Sequence, residues 1–122
     1  MNEMPAIFGL AAGAARHAAN RQAVIATNVA NADTPGFRAR DMAPFSVDDG
    51  FAPRRTRPDH MSGPGTAARS YEMRDVAADP NGNSVDLEDQ VMRGLEAARM
   101  HDRALTVYRS SLDLMRAALG RR

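Results

Sequence analysis

The chain has 122 residues, which is the length of one domain and argues against separate catalytic and binding domains. It carries 16 basic residues, all of them Arg, and 15 acidic residues, and this balanced charge argues against a general nucleic-acid binder. The absence of Cys excludes a disulfide framework, a thiolate metal site and a thiol nucleophile. Hydrophobic residues make up 43% of the chain but aromatic residues only 5%. Because Ala, a strong helix former with little area to bury, is the commonest apolar residue, the composition favours an extended helical protein over a compact enzyme.

The first ten residues have no basic segment followed by a continuous apolar run. We therefore expect no cleavable secretory signal peptide. No stretch approaches the roughly 18 apolar residues that a membrane-spanning helix needs.

Residues 5–32 are predicted to form the first helix. Apolar residues recur there at spacings of three, four or seven, which is helical periodicity: Ile7, Ala11, Ala14, Ala18, Ile25 and Ala32. Arg21 and Asn28 occupy positions on the same stripe and make it polar in places.

Residues 84–120 are predicted to form the second helix. Its apolar stripe alternates spacings of four and three, which is the heptad pattern of a coiled-coil seam: Leu87, Val91, Gly94, Ala98, His101, Leu105, Tyr108, Leu112, Met115 and Leu119. Acidic residues at its start and Arg116 near its end suit the helix dipole. Ser84 or Asp86 is expected to cap its N-terminus and Gly120 to follow its C-terminus.

Residues 33–83 join the two helices and contain many Pro and Gly residues without sustained periodicity. Short strands are predicted only around residues 37–42 and 69–73. The predicted fold class is mainly α, a single domain over residues 1–122. Two long antiparallel terminal helices form a coiled-coil-like pair and are joined by a long irregular insert with at most short β segments.

The seam of the second helix is expected to pack against that of the first and against other subunits. The residues assigned to this packing are Leu87, Val91, Leu105, Tyr108, Leu112 and Met115 on the second helix, with Ile7, Ala11, Ala14, Ala18 and Ile25 on the first. Leu95, Leu114 and Ala118 are expected to remain for neighbouring subunits. Because so many seam residues are Ala, the isolated chain is expected to be partly disordered and to become fully ordered in an assembly.

The most specific stretch lies where the first helix ends. Its residues are Asn28, Asn31, Asp33, Thr34, Pro35, Gly36 and Phe37. The two Asn carboxamides can bond the free carbonyl groups of the last helical turn. Pro35 and Gly36 fit the two central positions of a type II turn. On physical grounds alone this stretch is a helix C-terminus followed by a turn.

Residues 27–41, TNVANADTPGFRARD, resemble the N-terminal signature shared by bacterial flagellar rod and hook proteins. The form in which ADTPGF is followed by ARD resembles the FlgB family of proximal rod proteins. Residues 55–61 are similar to a short central element of that family, and residues 81–88 resemble the element that opens its C-terminal helix. Together with chain length, these stretches extend the resemblance over most of the chain apart from residues 63–78.

The resemblance implies a structural subunit, not an enzyme, that has no cofactor and no small-molecule ligand. Such a subunit is expected to polymerise helically through its terminal helices and to transmit motor torque. The implied partners are further copies of itself, other flagellar rod proteins, the rod-to-membrane-ring junction protein and the flagellar type III export apparatus, with no nucleic acid among them. The implied location is the flagellar basal body, in the rod that spans the periplasm.

Other functions have weaker support in the residues. His17, His60 and His101 lack the i,i+4 spacing of helical metal ligands, so a metal site is disfavoured. The main alternative is a small coiled-coil adaptor or regulatory module that dimerises through the second helix. This alternative explains the heptads but gives no role to the turn stretch or to the insert.

Overall fold

The computed structural model describes residues 4–47 and 70–120. Helix α1 spans Met4–Ala30 and helix α2 spans Leu87–Ala118, so most of the described residues are helical. The helices are antiparallel, because Phe8 near the start of α1 contacts Tyr108 late in α2, whereas Asn28 bonds Gln90. The predicted fold class, two long helices with a connection that contains short strands, is confirmed. We call the end where α1 finishes and α2 begins the closed end, and the other the open end.

Each helix is slightly shorter at the closed end than the periodicity predicted. Beyond Ala30 the backbone continues as turns, in which Asn31 N and Ala32 N donate to carbonyl oxygens three residues earlier. Helix α2 begins after Asp86, which has an extended backbone and accepts hydrogen bonds from the backbone N–H groups of Glu88 and Asp89. Asp86 rather than Ser84 is therefore the N-cap.

Two three-residue strands lie in the connection. Strand β1, Arg40–Met42, pairs antiparallel with strand β2, Ser70–Glu72, and Asp41 lies opposite Tyr71. Both strands fall inside the two short segments predicted from the sequence. Residues 48–69, which include His60 and the family-like stretch at 55–61, lie outside the described part of the chain.

The apolar core between the helices is made mainly of Ala. The buried apolar residues are Ala11, Ala18 and Ile25 on α1 and Ala97 and Ala104 on α2, within the part of the chain that the structure describes. Each set repeats every seven residues, as a helix-pair seam requires. Small side chains on both faces let the two backbones approach closely.

The seam of α2 differs from the predicted one at every second position, where it lies one residue earlier. Its buried positions are Gln90, Ala97, Ala104 and Ser111, whereas Leu87 is 52% and Val91 67% exposed. The expectation that Leu87 and Val91 pack against α1 is therefore not met. The physical reason is that α1 presents mainly Ala, against which the small residues Ala97, Ala104 and Ser111 fit. Gln90 is larger, and its burial is accommodated by its hydrogen bond to Asn28.

The remaining residues assigned to packing lie at the margins of the seam. Leu105, Leu112, Met115 and Ala14 are half-buried. Ile7 is exposed, and Tyr108 is exposed but packs edge-on against Phe8 with ring centroids 5.1 Å apart. Leu95, Leu114 and Ala118, which were expected to face neighbouring subunits, are exposed.

Neither helix, over the residues that the structure describes, combines the length and the apolar character needed to cross a membrane.

Candidate functional site: a polar cluster at the closed end

The closed end of the helix pair is built from buried polar groups. The three largest fully buried side chains of the described chain are Gln90, Asn28 and Asn83. Burying a polar group is costly unless it is hydrogen-bonded. Within the described residues, every buried side-chain nitrogen and oxygen has a partner. A fully satisfied network of this kind fixes one arrangement of the elements that it joins.

Asn28 joins α1 to both β1 and α2. Its Nδ2 donates to the backbone oxygen of Arg40 at 2.7 Å and to Oε1 of Gln90 at 2.8 Å, and its Oδ1 accepts from the backbone N–H of Arg40 at 3.0 Å. The carboxamide thus pairs with the backbone of β1 as another strand would. Asn28 lies on the α1 seam, where an apolar residue would have been ordinary, and its partners explain why a polar one is accommodated.

Asp41 in β1 lies between two Arg side chains from the two helices. Arg21 of α1 makes two bonds to it, Nε to Oδ1 at 2.9 Å and Nη2 to Oδ2 at 3.1 Å. Arg93 of α2 donates from Nη1 to Oδ2 at 2.5 Å. Arg21 also reaches Glu96 of α2 at 3.1 Å. We call Arg21, Asn28, Asp41, Gln90 and Arg93 the polar cluster.

The charges of the polar cluster shift the ionisation of Asp41. Burial by itself raises the pKa of this carboxyl group, but hydrogen bonds from Arg21, the backbone N–H of Met42 and Arg93 outweigh it. The pKa of Asp41 therefore lies below its ordinary value of 3.8. The hydrogen bond to Asp41 raises the pKa of Arg21, which keeps its positive charge.

This pKa shift predicts how stability depends on pH. Because the pKa of Asp41 is lower in the folded than in the unfolded chain, protonation of Asp41 opposes folding. Its contribution to the free energy of unfolding is complete above pH 3.8 and is lost as the pH falls through the lower, folded-state pKa. We expect Asp41→Asn to flatten the acid limb of a stability–pH curve from urea titrations. The same substitution at the exposed Asp33 is the control, and equal slopes for both variants would contradict the assignment.

The turn after α1 has the predicted geometry. Phe37 N donates to Thr34 O at 3.2 Å, and Gly36 has a φ of 74°, as a type II turn with Pro35 and Gly36 at its centre requires. Asn31 Nδ2 donates to the backbone oxygen of Thr27 at 2.8 Å, and Asn31 N donates to the same oxygen at 3.2 Å, so this carboxamide adds a cap to the last turn of α1. The carboxamide of Asn28, in contrast, bonds β1 and α2 rather than its own helix.

The turn is held by the segment that precedes α2. Asn83 Nδ2 donates to the backbone oxygens of Asn31 at 2.9 Å and Thr34 at 2.8 Å. Backbone bonds join Gly36 N to Asn81 O and Ser84 N to Phe37 O. The two family-like stretches, residues 27–41 and 81–88, therefore form one interlocked unit, which we call the turn–turn contact.

Gly36 and Gly82 face each other in the turn–turn contact. Gly82 has a φ of 84°, and a Cβ atom built on it would lie 3.3 Å from the Cα of Gly36, whereas a Cβ on Gly36 would meet nothing within 4 Å. Either Gly→Ala substitution should cost roughly 1–2 kcal/mol for the left-handed backbone. We expect Gly82→Ala to lower the free energy of unfolding further than Gly36→Ala, because it also pushes the two turns apart. Equal losses in parallel urea titrations would exclude this steric term.

The other predicted site residues lie at the surface or at its edge. Asp33, Thr34 and Pro35 are exposed, and Phe37 is half-buried.

The histidines and carboxylates of the described residues do not form a metal site. His17 is buried in α1, and its Nε2 lies 2.7 Å from the backbone oxygen of Ala43, so this nitrogen is engaged in a hydrogen bond within the chain. No group of three His, Cys, Asp or Glu side chains in residues 4–47 and 70–120 is arranged to hold a metal ion.

Four residues of this site were not predicted from the sequence as members of one cluster: Arg21, Asp41, Gln90 and Arg93. A signal existed for Arg21, because a charged residue on an apolar stripe needs a partner when the stripe is buried. The burial of Gln90 could have been predicted from an alternative heptad register, 90, 94, 97 and 101. This register shares every second position with the predicted one. Nothing in the spacing pointed to the pairing of Asp41 with Arg93, 52 residues away.

The sequence of the chain is similar to those of known proteins. The sequence model of a family described as "Flagella basal body rod protein" matches residues 10–38, which run from α1 through the turn. The chain is 34% identical to the "Flagellar basal body rod protein FlgB" of Agrobacterium fabrum over an alignment of 122 positions. That alignment covers 89% of this chain and 89% of the relative.

Proposed function

The chain belongs to the FlgB family of flagellar basal body rod proteins, and we propose that it polymerises helically through its terminal helices as a torque-transmitting subunit of the proximal rod. As a member of this family it is a structural protein of the basal body rod. The observation that carries the proposal is the polar cluster, because a subunit that transmits torque must not let its helices slide or rotate against each other.

The polar cluster resists such sliding by the direction of its bonds. Asn28 bonds Gln90 across the helix pair, and Asp41 of β1 bonds both Arg21 of α1 and Arg93 of α2. Hydrogen bonds are directional, whereas apolar contacts between Ala side chains allow slippage along the seam. Moving one helix past the other would leave several buried polar groups without partners, at about 1–3 kcal/mol each.

Two flanks of α2 supply surfaces for self-association. One carries Leu87 and Val91 and the other carries Met100, Val107 and Leu114, and these five side chains are 38–67% exposed. The two flanks lie on opposite sides of the buried seam, since Val91 and Val107 are 16 residues apart, or about 160° around a helix. A subunit with apolar surfaces on two sides suits heterologous contacts that do not close, which is what a helical rod needs.

The small core also supports export through the flagellar type III apparatus in an unfolded form. Among residues 4–47 and 70–120, the buried hydrophobic residues are five Ala with Ile25 and Met42. Because Ala buries little apolar area, unfolding such a chain costs little hydrophobic free energy. On this proposal the subunit reaches full order beside its partners, which are further copies of itself, other rod proteins and the rod-to-membrane-ring junction protein.

A substitution in the turn tests the proposed role. We expect Gly36→Val to abolish swimming, because Val disfavours the left-handed backbone of the turn and so disturbs the joint between the helices. Gly9→Val, at a glycine whose Cβ would meet nothing within 4 Å and whose φ is not positive, is the matched control. Soft-agar motility and immunoblots of purified basal bodies give the readouts. Wild-type swimming and normal incorporation of Gly36→Val would argue against the role.

A further inference from the structure

A groove opens between the two helices towards the open end. Its volume is about 310 Å³, and its walls include Ile7 and Leu10 of α1, Phe45 and Val47 after β1, and Met100 and Val107 of α2. Arg103 also lines the groove and contributes a positive charge. Groove-lining apolar side chains with 38–63% exposure, such as Ile7, Leu10 and Val47, have no covering element among the described residues. An apolar surface that none of the described residues covers points to a binding partner.

The closed end of α2 carries an apolar ridge of matching character. Leu87, Val91 and Leu95 follow i, i+4, i+8 spacing along one side of the helix and are 52%, 67% and 46% exposed. Glu88 is exposed within the same two turns. A helix with such a ridge fits a hydrophobic groove by inserting every fourth side chain.

Charge is distributed unevenly between the two ends. Residues 28–42 and 70–93 of the closed end contain eight carboxylates and four guanidinium groups. Residues 4–20 and 100–120 of the open end contain four guanidinium groups and two carboxylates. The closed end of one copy is therefore attracted to the open end of another, whereas two closed ends repel each other.

We propose that the open-end groove of one copy receives the Leu87–Val91–Leu95 ridge of a second copy, with Glu88 of the ridge beside Arg103 of the groove. This inference rests on the proposed self-association and specifies its surfaces. Within one chain the ridge cannot enter the groove, because Val91 and Arg103 are about 18 Å apart along α2 and the surfaces lie on opposite sides of the helix. Each added copy leaves one ridge and one groove free, so the contact propagates with an axial shift.

Introduced cysteines test the contact cleanly, because the chain has none of its own. Two full-length variants, Val91→Cys and Val107→Cys, change exposed residues of the ridge and the groove. We expect a short bismaleimide to give covalent dimers when the two variants are mixed, at least tenfold more than with either variant alone. Ala23→Cys, on the exposed outer side of α1, mixed with either variant sets the background. A chain with both substitutions should give a ladder of higher oligomers.

Two outcomes overturn the inference. One is strong cross-linking of Val91→Cys or Val107→Cys alone, which indicates a symmetric contact. The other is a mixture that gives no more dimer than the Ala23→Cys background. If the wild-type chain still self-associates in analytical ultracentrifugation in that case, the surfaces are wrong and the proposed function stands. If it stays monomeric and is also absent from basal bodies, the proposed function fails as well.

A charge exchange distinguishes this pairing from a groove that binds another protein. Arg103→Glu and Glu88→Arg should each weaken self-association by roughly two- to fivefold, the range for an exposed ion pair. The double variant should regain the wild-type association constant. Additive losses in the double variant would contradict the pairing of Glu88 with Arg103.

Discussion

Replacing Asp41 with Ala is expected to lower the free energy of unfolding by about 3–5 kcal/mol, the range found when one partner is removed from a buried ion pair. The side chain of Asp41 is 3% exposed and that of Arg21 is 12% exposed. Without the carboxylate, the guanidinium groups of Arg21 and Arg93 face each other without their shared acceptor, and the backbone N–H of Met42 loses its partner. The loss is therefore larger than the worth of one hydrogen bond.

Urea titration followed by far-UV circular dichroism gives the measurement, in sucrose to strengthen a marginal fold. The control is Asp113→Ala, because Asp113 pairs with Arg116 at 3.5 Å in solvent, with both side chains about three-quarters exposed. That pair is expected to contribute about 0–1 kcal/mol. A loss for Asp41→Ala no larger than for Asp113→Ala would show that the polar cluster does not hold the fold.

Replacing Asn28 with Ala is expected to have the next largest effect, about 2–4 kcal/mol. The substitution leaves a small cavity and removes the partners of the Arg40 N–H, the Arg40 carbonyl and Oε1 of Gln90, all at a position that is 0% exposed. Unsatisfied buried groups cost about 1–3 kcal/mol each, and relaxation or water recovers part of this. Asn28→Asp should be as harmful, because a carboxylate would face two acceptor oxygens.

The matched control is Asn20→Ala, in the same helix but exposed. Its expected effect is within about 0.5 kcal/mol, as for surface substitutions in general. Asn28→Ala should also reduce the amount of the chain in purified basal bodies, whereas Asn20→Ala should not. Stability and incorporation like the wild type for Asn28→Ala would contradict the role of the carboxamide.

Periodicity was sufficient to predict the two helices but not the register of their contact. The heptad through Leu87, Val91 and Leu105 is the more hydrophobic of two overlapping patterns in α2. It was therefore predicted to be the one that packs against α1. The buried pattern runs instead through Gln90, Ala97 and Ala104. Which of the two patterns of α2 is buried depends on the partner helix, because the Ala-rich face of α1 packs best when the two backbones lie close together. Leu87 and Val91, which the hydrophobic pattern assigned to the seam, are consequently exposed and available for other contacts.

Local geometry was predicted where a few neighbouring residues determine it. Two examples are the turn at Pro35 and Gly36 and the end of α2 before Gly120. Both follow from the backbone preferences of Pro and Gly, which can be recognised from a few neighbouring residues. The turn–turn contact could not be predicted in this way, since it joins residues about 50 positions apart by hydrogen bonds to backbone atoms. Every residue has a backbone carbonyl, so the pattern of side chains in the sequence does not indicate which carbonyl accepts a distant hydrogen bond. Only the resemblance of both stretches to one family hinted that they act together.

We propose that the polar cluster and the turn–turn contact hold the antiparallel helix pair as one rigid unit within the rod. Electron cryomicroscopy of basal bodies purified from the native cell tests it most directly. We predict rod subunits traced as this chain, with α1 and α2 of the same copy antiparallel, Asn28 beside Gln90, and Asp41 between Arg21 and Arg93. A rod without this chain, or one in which α1 and α2 of each copy pack apart against different subunits, would contradict the claim.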